Sequence, residues 1–268
     1  MTRFIEILRA TIDIAVALCA LLILVIPLWF GLAAFGTKWE FWGWQTGLNA
    51  MTHVWGLRLL LAGLVAGVLT LVVLILYRLL ASQGHGNWLS AIAVSLIAAA
   101  GLAWATQIEA GKAAGPAVLD VTTDVLDPPH FSAGFTARRS GLDSSLNYDG
   151  KIAADGQALP ALQAERYPAI GTLYLDEPTQ NAFARALELA RELGWRVSTA
   201  SAEAGMFEAG AESLWFGFRD DIVVRVRPGE TGGSLVDIRS VARQPVHDLG
   251  RNADRVEAFL EALGGAQS

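Results

Sequence analysis

The spacing of hydrophobic residues changes once along this chain, near residue 110. Before that point three apolar stretches follow one another, 14–37, 59–77 and 88–108, each without a charged residue. They are 24, 19 and 21 residues long. About 20 residues of α-helix cross the hydrocarbon core of a bilayer, and a helix satisfies its own backbone groups in lipid. The pattern therefore predicts three transmembrane helices within a membrane region spanning 1–110. After residue 110 apolar residues alternate with polar ones or recur at helical spacing, as in a folded domain with a wet surface.

The first stretch exceeds the apolar core of a signal peptide, about 7–15 residues, and no small-x-small site ends it. It is expected to be retained as a span. Between the first and second spans, segment 38–56 carries Trp39, Trp42, Trp44 and Trp55. Trp44, Leu48, Met51 and Trp55 share a helical face, and tryptophan favours the headgroup level. An interfacial helix is expected there. Gly63 and Gly67 form a G-x-x-x-G pair that permits close helix packing. No span carries a charge except Asp13, near the end of the first, which argues against a pump or transporter. Arg3, Arg9 and Arg78 flank one side of the spans and Lys38, Arg58 and Lys112 the other. The free amino group tips this balance toward an amino terminus in the cytoplasm. The expected location is thus a bacterial inner membrane, crossed three times, with the carboxyl-terminal domain in the periplasm.

Residues 111–117 read as a linker, 118–264 as a globular domain and 265–268 as a tail. Within the domain a stretch from Asp127 to about Pro168, rich in Pro, Gly, Ser and Asp, reads as a long irregular segment. Segment 176–195 predicts a helix capped by Asp176, with Phe183, Ala186, Leu187 and Ala190 on its inner face, ended by Gly194. Strands are expected at 195–202, 205–211, 213–220, 222–228 and 233–242, then a helix over about 248–263 facing inward through Ala253, Val256, Phe259, Leu260 and Leu263. The fold class is α+β: three transmembrane helices followed by a two-layer domain with a mainly antiparallel sheet and two principal helices.

Charge falls on this pattern in a specific way. In "FGFRDDIVVRVRP", Ile222, Val224 and Val226 share one strand face, expected to continue through Leu214, Phe216 and Phe218. The other face carries Asp221, Arg225 and Arg227. A hairpin through 228–233 places Asp237 opposite Arg225 or Arg227, and such cross-strand pairs contribute about 0.2–1 kcal/mol each. Asp220, Asp221, Arg227 and Asp237 are accordingly read as structural charge pairs. Arg225, Arg239, Arg243 and Arg251, with Asp248 and Asn252 at the start of the last helix, form a candidate anion site. Asp248 can cap that helix, helix starts attract anions, and arginine offers a planar fork to carboxylate or phosphate.

Whole-chain composition narrows the partners. The chain is 53% hydrophobic and only 17% charged. Residues 1–110 hold five Lys/Arg and four Asp/Glu, whereas 111–268 hold 15 and 22, a net of −7. An acidic domain lacks the basic surface nucleic acid requires. Cys19 is the only cysteine, which excludes an intrachain disulfide and a cysteine-based zinc site. His53, His85, His130 and His247 are scattered, no metal or cofactor is expected, and no nucleophile elbow, P-loop or dinucleotide fingerprint occurs. The run "AVLDVTTDV" reads as a strand; Asp120, Asp124 and Asp127 with His130 offer a loose acidic cluster, but "TTD" and "DPP" read more readily as turns and caps.

The runs "WFGFRDDIVVRVRP", "VDIRSVAR" and "DLGRNADRVEAFL", with "TTDVLDPPHF" and "QAERYPAI" upstream, resemble the DUF1499 family over residues 118–264. The resemblance departs at Ala242 and Pro245, where the family carries Ser and Gly. It implies a domain boundary and no particular reaction. The expectation is a membrane protein, more a binding module than an enzyme, whose domain takes a partner protein or an anionic ligand. A hydrolase using the Asp/Arg cluster, or an accessory subunit of a larger membrane complex, stands as the alternative.

Overall fold

The computed structural model describes residues 2–81, 86–113, 115–139, 146–153, 155–230 and 232–265; His85 lies outside them. It divides into two compact units, Met1–Ala110 with Leu214–Gly217, and Gly111–Ser213 with Phe218–Ser268.

The first unit contains α1 (Thr2–Lys38), a π-helix (Gln45–Gly56), α2 (Leu57–Ala81) and α3 (Trp88–Ala113). Three helical stretches, Arg3–Lys38, Gln45–Ala81 and Trp88–Ala113, are long and apolar enough to cross a membrane. Helix α1 starts well before its apolar run, because Ile5, Leu8, Ile12 and Val16 already form a packed stripe against Leu74, Tyr77 and Trp88. Arg9 on the same stretch donates from Nε to the Tyr77 hydroxyl at 2.6 Å. A second cluster joins Cys19 and Ile26 of α1, Leu60 of α2, and Ala91, Val94 and Ala98 of α3. Glycine makes this approach possible. A Cβ on Gly63 would lie 2.9 Å from Ile26, and one on Gly67 would lie 2.9 Å from both the Ala91 carbonyl and Val94.

The π-helix runs directly into α2. Its Gly47 and Gly56 are both buried. Nine residues make two and a half turns of an α-helix, which would put the two glycines on opposite faces. The wider i→i+5 winding returns both to one face. That face meets α1: a Cβ on Gly47 would strike Thr37 and Ala33, and one on Gly56 the Phe30 ring.

The second unit is an α+β domain. Its sheet comprises β1 (Asp120–Thr122), β2 (Leu173–Leu175), β3 (Arg196–Ser201), β4 (Met206–Glu212), β5 (Arg219–Pro228) and β6 (Ser234–Ala242), all paired antiparallel. The order is β1-β6-β5-β4-β3, with β2 sharing the β6 edge. β1 takes residues 239–241 of that edge and β2 takes 234–236. Helices α6 (Thr179–Glu192) and α7 (Arg251–Gly265) cover one face. There Phe183, Ala186, Val256 and Phe259 pack on Phe207, Ile222, Val224 and Ile238, and Trp195 stacks on Phe259 at 5.1 Å.

Three local expectations change. The alternation of Leu214, Phe216 and Phe218 suggests a strand, but these residues belong to the turn between β4 and β5. Phe216 and Gly217 have φ of 62° and 64°, a left-handed backbone that cannot continue a strand. The Ser213 N–H donates to the Phe218 carbonyl at 2.8 Å and closes the turn. Asp176 does not cap α6: Pro178 holds the N-cap position with no side-chain cap. The stretch 127–168 contains two helices, α4 (Ala133–Arg138) and α5 (Leu159–Arg166). Gln163 of α5 clamps the outer edge of β1 by donating to the Thr122 carbonyl at 2.6 Å and accepting from its N–H at 3.0 Å.

The close α2–α3 approach gives a stability test. Gly67→Val should cost about 1–3 kcal/mol through overpacking, read as a lower thermal midpoint of the purified protein in mild detergent. Gly31→Ala, where the added methyl meets nothing within 4 Å, should leave that midpoint unchanged or raise it.

Candidate functional site

The sheet face opposite α6 and α7 is also buried, largely by charge, beside a small apolar cluster of Phe131, Phe135, Leu146 and Val241. Register explains how. Across β1, β6 and β5, Asp120, Val241 and Asp221 are aligned; next to them come Thr122, Arg239 and Val223. One pair further, Arg225 faces Asp237. Four aspartates, Asp120, Asp220, Asp221 and Asp237, are each 2% exposed or less. A carboxylate removed from water must be paired and hydrogen-bonded. Each of these four receives two basic side chains.

Asp220 and Asp221 are sequential, so their side chains leave opposite faces of β5. Asp220 points toward α7 and accepts from Arg251 at 3.0 Å and Arg255 at 2.7 Å. Those two arginines are four residues apart and so share one helix face. Asp221 points the other way, to Arg139 just after α4 and to Arg243 just after β6, the latter at 2.7 Å. Asp237 accepts from Arg225 at 3.0 Å, Arg227 at 3.1 Å, Thr172 at 2.6 Å and Thr123 at 3.1 Å. Arg225 and Arg227 also reach Asp127 and Asp124, which tie down the turn after β1.

Asp120 forms the most enclosed pair. Arg239 is fully buried. It donates Nε and Nη2 to the two Asp120 oxygens, both at 2.8 Å, and further to the carbonyls of Leu146 and Pro129. Its guanidinium lies 5.1 Å from the Tyr148 ring centre and 5.6 Å from that of Phe131. Lys151 approaches the same Asp120 carboxylate at 2.5 Å. Glu208 is a different case. It is buried and accepts from the backbone N–H and hydroxyl of Ser132, the N-cap of α4.

Around the α7 start, Asp248 accepts from the Asn252 N–H at 3.0 Å and from its side-chain amide at 2.8 Å. The buried Asn252 accepts in turn from Ser240 at 2.7 Å and Arg255 at 2.9 Å. Of the six residues in the candidate anion site, Arg239 and Asn252 are therefore interior, and Asp248 holds the helix start. Arg225 is largely enclosed, with 16% of its side chain exposed. Arg243 and Arg251 reach solvent, at 27% and 32%.

The environment shifts several titrations. Burial pushes the Asp237 carboxyl up, but hydrogen bonds from Thr172, Arg225 and Arg227 outweigh it and hold the group below the usual range. Burial pushes Lys151 down, an effect that Asp120 only partly offsets. The Tyr148 hydroxyl is pushed up to about 12, by burial first and then by Asp120.

Sequence reasoning missed Arg139 and Lys151, and placed Asp120 in a strand, where β1 has it, without finding its partners. Arg239 and Asp120 are 119 residues apart, so no local spacing joins them. The available signal was a lone acid inside the apolar run "AVLDV". Asp124 does make a turn, accepting from the N–H groups of Leu126 and Asp127. No group of three or more metal-ligating side chains occurs among the described residues.

Two measurements test this network. The folded pKa of Asp237 lies below its unfolded value of about 3.9, so its stabilisation is complete above about pH 5 and is lost as pH falls through the folded pKa. Asp237→Asn should thus lose less stability between pH 7 and pH 3 than the parent in denaturant titrations. Arg239→Met should cost about 3–5 kcal/mol by leaving Asp120 underpaired. Adding Asp120→Asn to Arg239→Met should cost less than the two single changes together, as read from a double-mutant cycle.

No curated protein matches this chain. Residues 120–263, more than half of its 268, match the family DUF1499, described as a protein of unknown function. The matched segment begins at Asp120, includes all four doubly paired aspartates and ends in α7, and the protein is a member of the DUF1499 family.

Proposed function

We propose that this protein is a membrane-held binding module. Its three apolar helices sit in a bacterial inner membrane with the amino terminus in the cytoplasm. The DUF1499 domain is displayed in the periplasm and binds an anionic ligand through Arg243 or Arg251, which are anchored on opposite faces of β5. One observation carries the reading. Both arginines are anchored through one side of the guanidinium, to Asp221 and Asp220, and in each the Nη1 group donates to no protein atom among the described residues. An arginine fixed at one edge and open at the other is preorganised for a carboxylate or phosphate. Asp220 and Asp221, the carboxylates a hydrolase would use, are each held by two arginines. That weighs for binding over turnover.

The full chain in neutral nanodiscs, titrated calorimetrically with glycerol 3-phosphate and with succinate, tests the ligand. Arg243→Ala with Arg251→Ala should weaken binding by about tenfold or more, the worth of a charge-assisted hydrogen bond. Arg227→Ala should leave binding within about twofold, on the scale of an exposed charge pair. Equal affinity in all three proteins would remove Arg243 and Arg251 from the site. A carboxyl-terminal reporter fusion active only in the cytoplasm would overturn the periplasmic placement.

A further inference from the structure

A second feature of the domain lies outside the Arg243–Arg251 pair. Beside β1 and the end of β6 is a cleft of about 570 Å³, all of whose lining residues belong to the second unit. That volume is in the range of small-molecule sites, about 300–1,000 Å³. Its walls include Leu119, Ile152, Leu159 and Pro245, and its basic groups include Lys112 and Lys151. Ile152 is 70% exposed, a large apolar side chain left in water at the cleft. Neither Arg243 nor Arg251 lines it.

The charge here is built in depth. Arg239 holds Asp120 bidentately from the interior, and Asp120 in turn holds the Lys151 ammonium at 2.5 Å. Two cations share one carboxylate, so the trio carries one net positive charge. Lys151 is thereby fixed in position, with 22% of its side chain exposed. Burial already pushes its pKa down. An arriving anion would restore the environment that the ammonium lost with its water. A positioned cation beside an apolar wall is complementary to a molecule with one charged end and one hydrocarbon end.

We propose that this cleft binds a single-chain amphiphile with an anionic head, the head at Lys151 and Lys112 and the chain along Leu119, Ile152, Leu159 and Pro245. The shared head chemistry is a carboxylate or a phosphate monoester. The site is independent of the anion contact at Arg243 and Arg251.

The test is protection of lysines from reductive methylation, read by mass spectrometry on the full chain in phosphatidylcholine nanodiscs. The probes are octanoate, octyl phosphate, octanol and inorganic phosphate, with Lys38 as the internal reference. Octanoate or octyl phosphate should slow modification of Lys151 by about tenfold or more, as expected for a charge-assisted contact, and leave Lys38 unchanged. Ile152→Glu should abolish that protection while keeping Lys151 in place. Arg243→Ala with Arg251→Ala should leave it intact, which separates this site from the proposed anion contact. Equal protection by inorganic phosphate would assign the cleft to a free anion and overturn the amphiphile. Equal protection by octanol would reduce it to an apolar cleft and overturn the anionic head. No protection by any probe, or protection that survives Ile152→Glu, would overturn the site.

Discussion

A carboxylate buried in a protein interior is costly unless it is paired or hydrogen-bonded, and this constraint organises the domain. Asp120, Asp220, Asp221 and Asp237 sit in or beside the two central strands with almost no exposure. The basic groups that neutralise them come from separate parts of the chain: Arg139 after α4, Lys151 from the segment before α5, Arg243 after β6, and Arg251 and Arg255 from α7. Each pair therefore ties a covering segment to the sheet. Because Asp220 and Asp221 face opposite ways, one dipeptide anchors α7 on one side and the α4 segment on the other. Hydrocarbon could pack the same space, and buried ion pairs are often no more stabilising than apolar replacements. What ion pairs add is selectivity of geometry, since a misplaced segment leaves a bare charge.

The membrane-type unit meets the burial problem with different chemistry. Its helices associate through Gly63, Gly67, Ala91 and Ala98, where small residues bring backbones close. The Thr70 and Ser95 hydroxyls bond within their own helices, to the Ala66 and Ala91 carbonyls, while the Ser90 hydroxyl donates across to the Val16 carbonyl of α1 at 3.4 Å. Charge is nearly absent from this packing. The π-helix fits the same logic: a winding of lower intrinsic stability persists because it brings Gly47 and Gly56 together onto α1. Helical propensity is a weak term beside the loss of that contact.

Much of this architecture was legible in the sequence, and the failures have physical causes. Unbroken apolar runs identified the three helices because lipid leaves few other solutions. Period-two alternation assigned the faces of β5, and 3.6-residue spacing assigned the inner faces of α6 and α7. Alternation also misled at Leu214–Phe218, since it records which residues are apolar and is blind to the left-handed backbone at Phe216 and Gly217. The Arg225–Asp237 neighbourhood could be read because a short hairpin sets its register. Asp120–Arg239, Asp221–Arg139 and Asp120–Lys151 could not, because topology rather than spacing brings them together. The same gap blurred the candidate anion site. Arginines adjacent in sequence look equivalent, whereas burial separates Arg239 and Arg225 from Arg243 and Arg251.

That separation bears on what this family of domains can do. A guanidinium whose donors are spent on interior oxygens contributes field but no contact, and moving it to meet a ligand would expose its aspartate. Arg239 is in that position, with bonds to Asp120, Leu146 and Pro129. Its effect on a ligand must be indirect, through Asp120 and then Lys151. Arg243 and Arg251 stand at the margin of the same network, each fixed by one buried acid and open to solvent beyond it. The interior pairs thus supply the rigidity, and under the proposed binding role the outermost cations would supply the contact. A network that began as a requirement of burial ends at the surface as a set of positioned positive charges, and in the proposed binding role only those charges could take a partner without unmaking the fold.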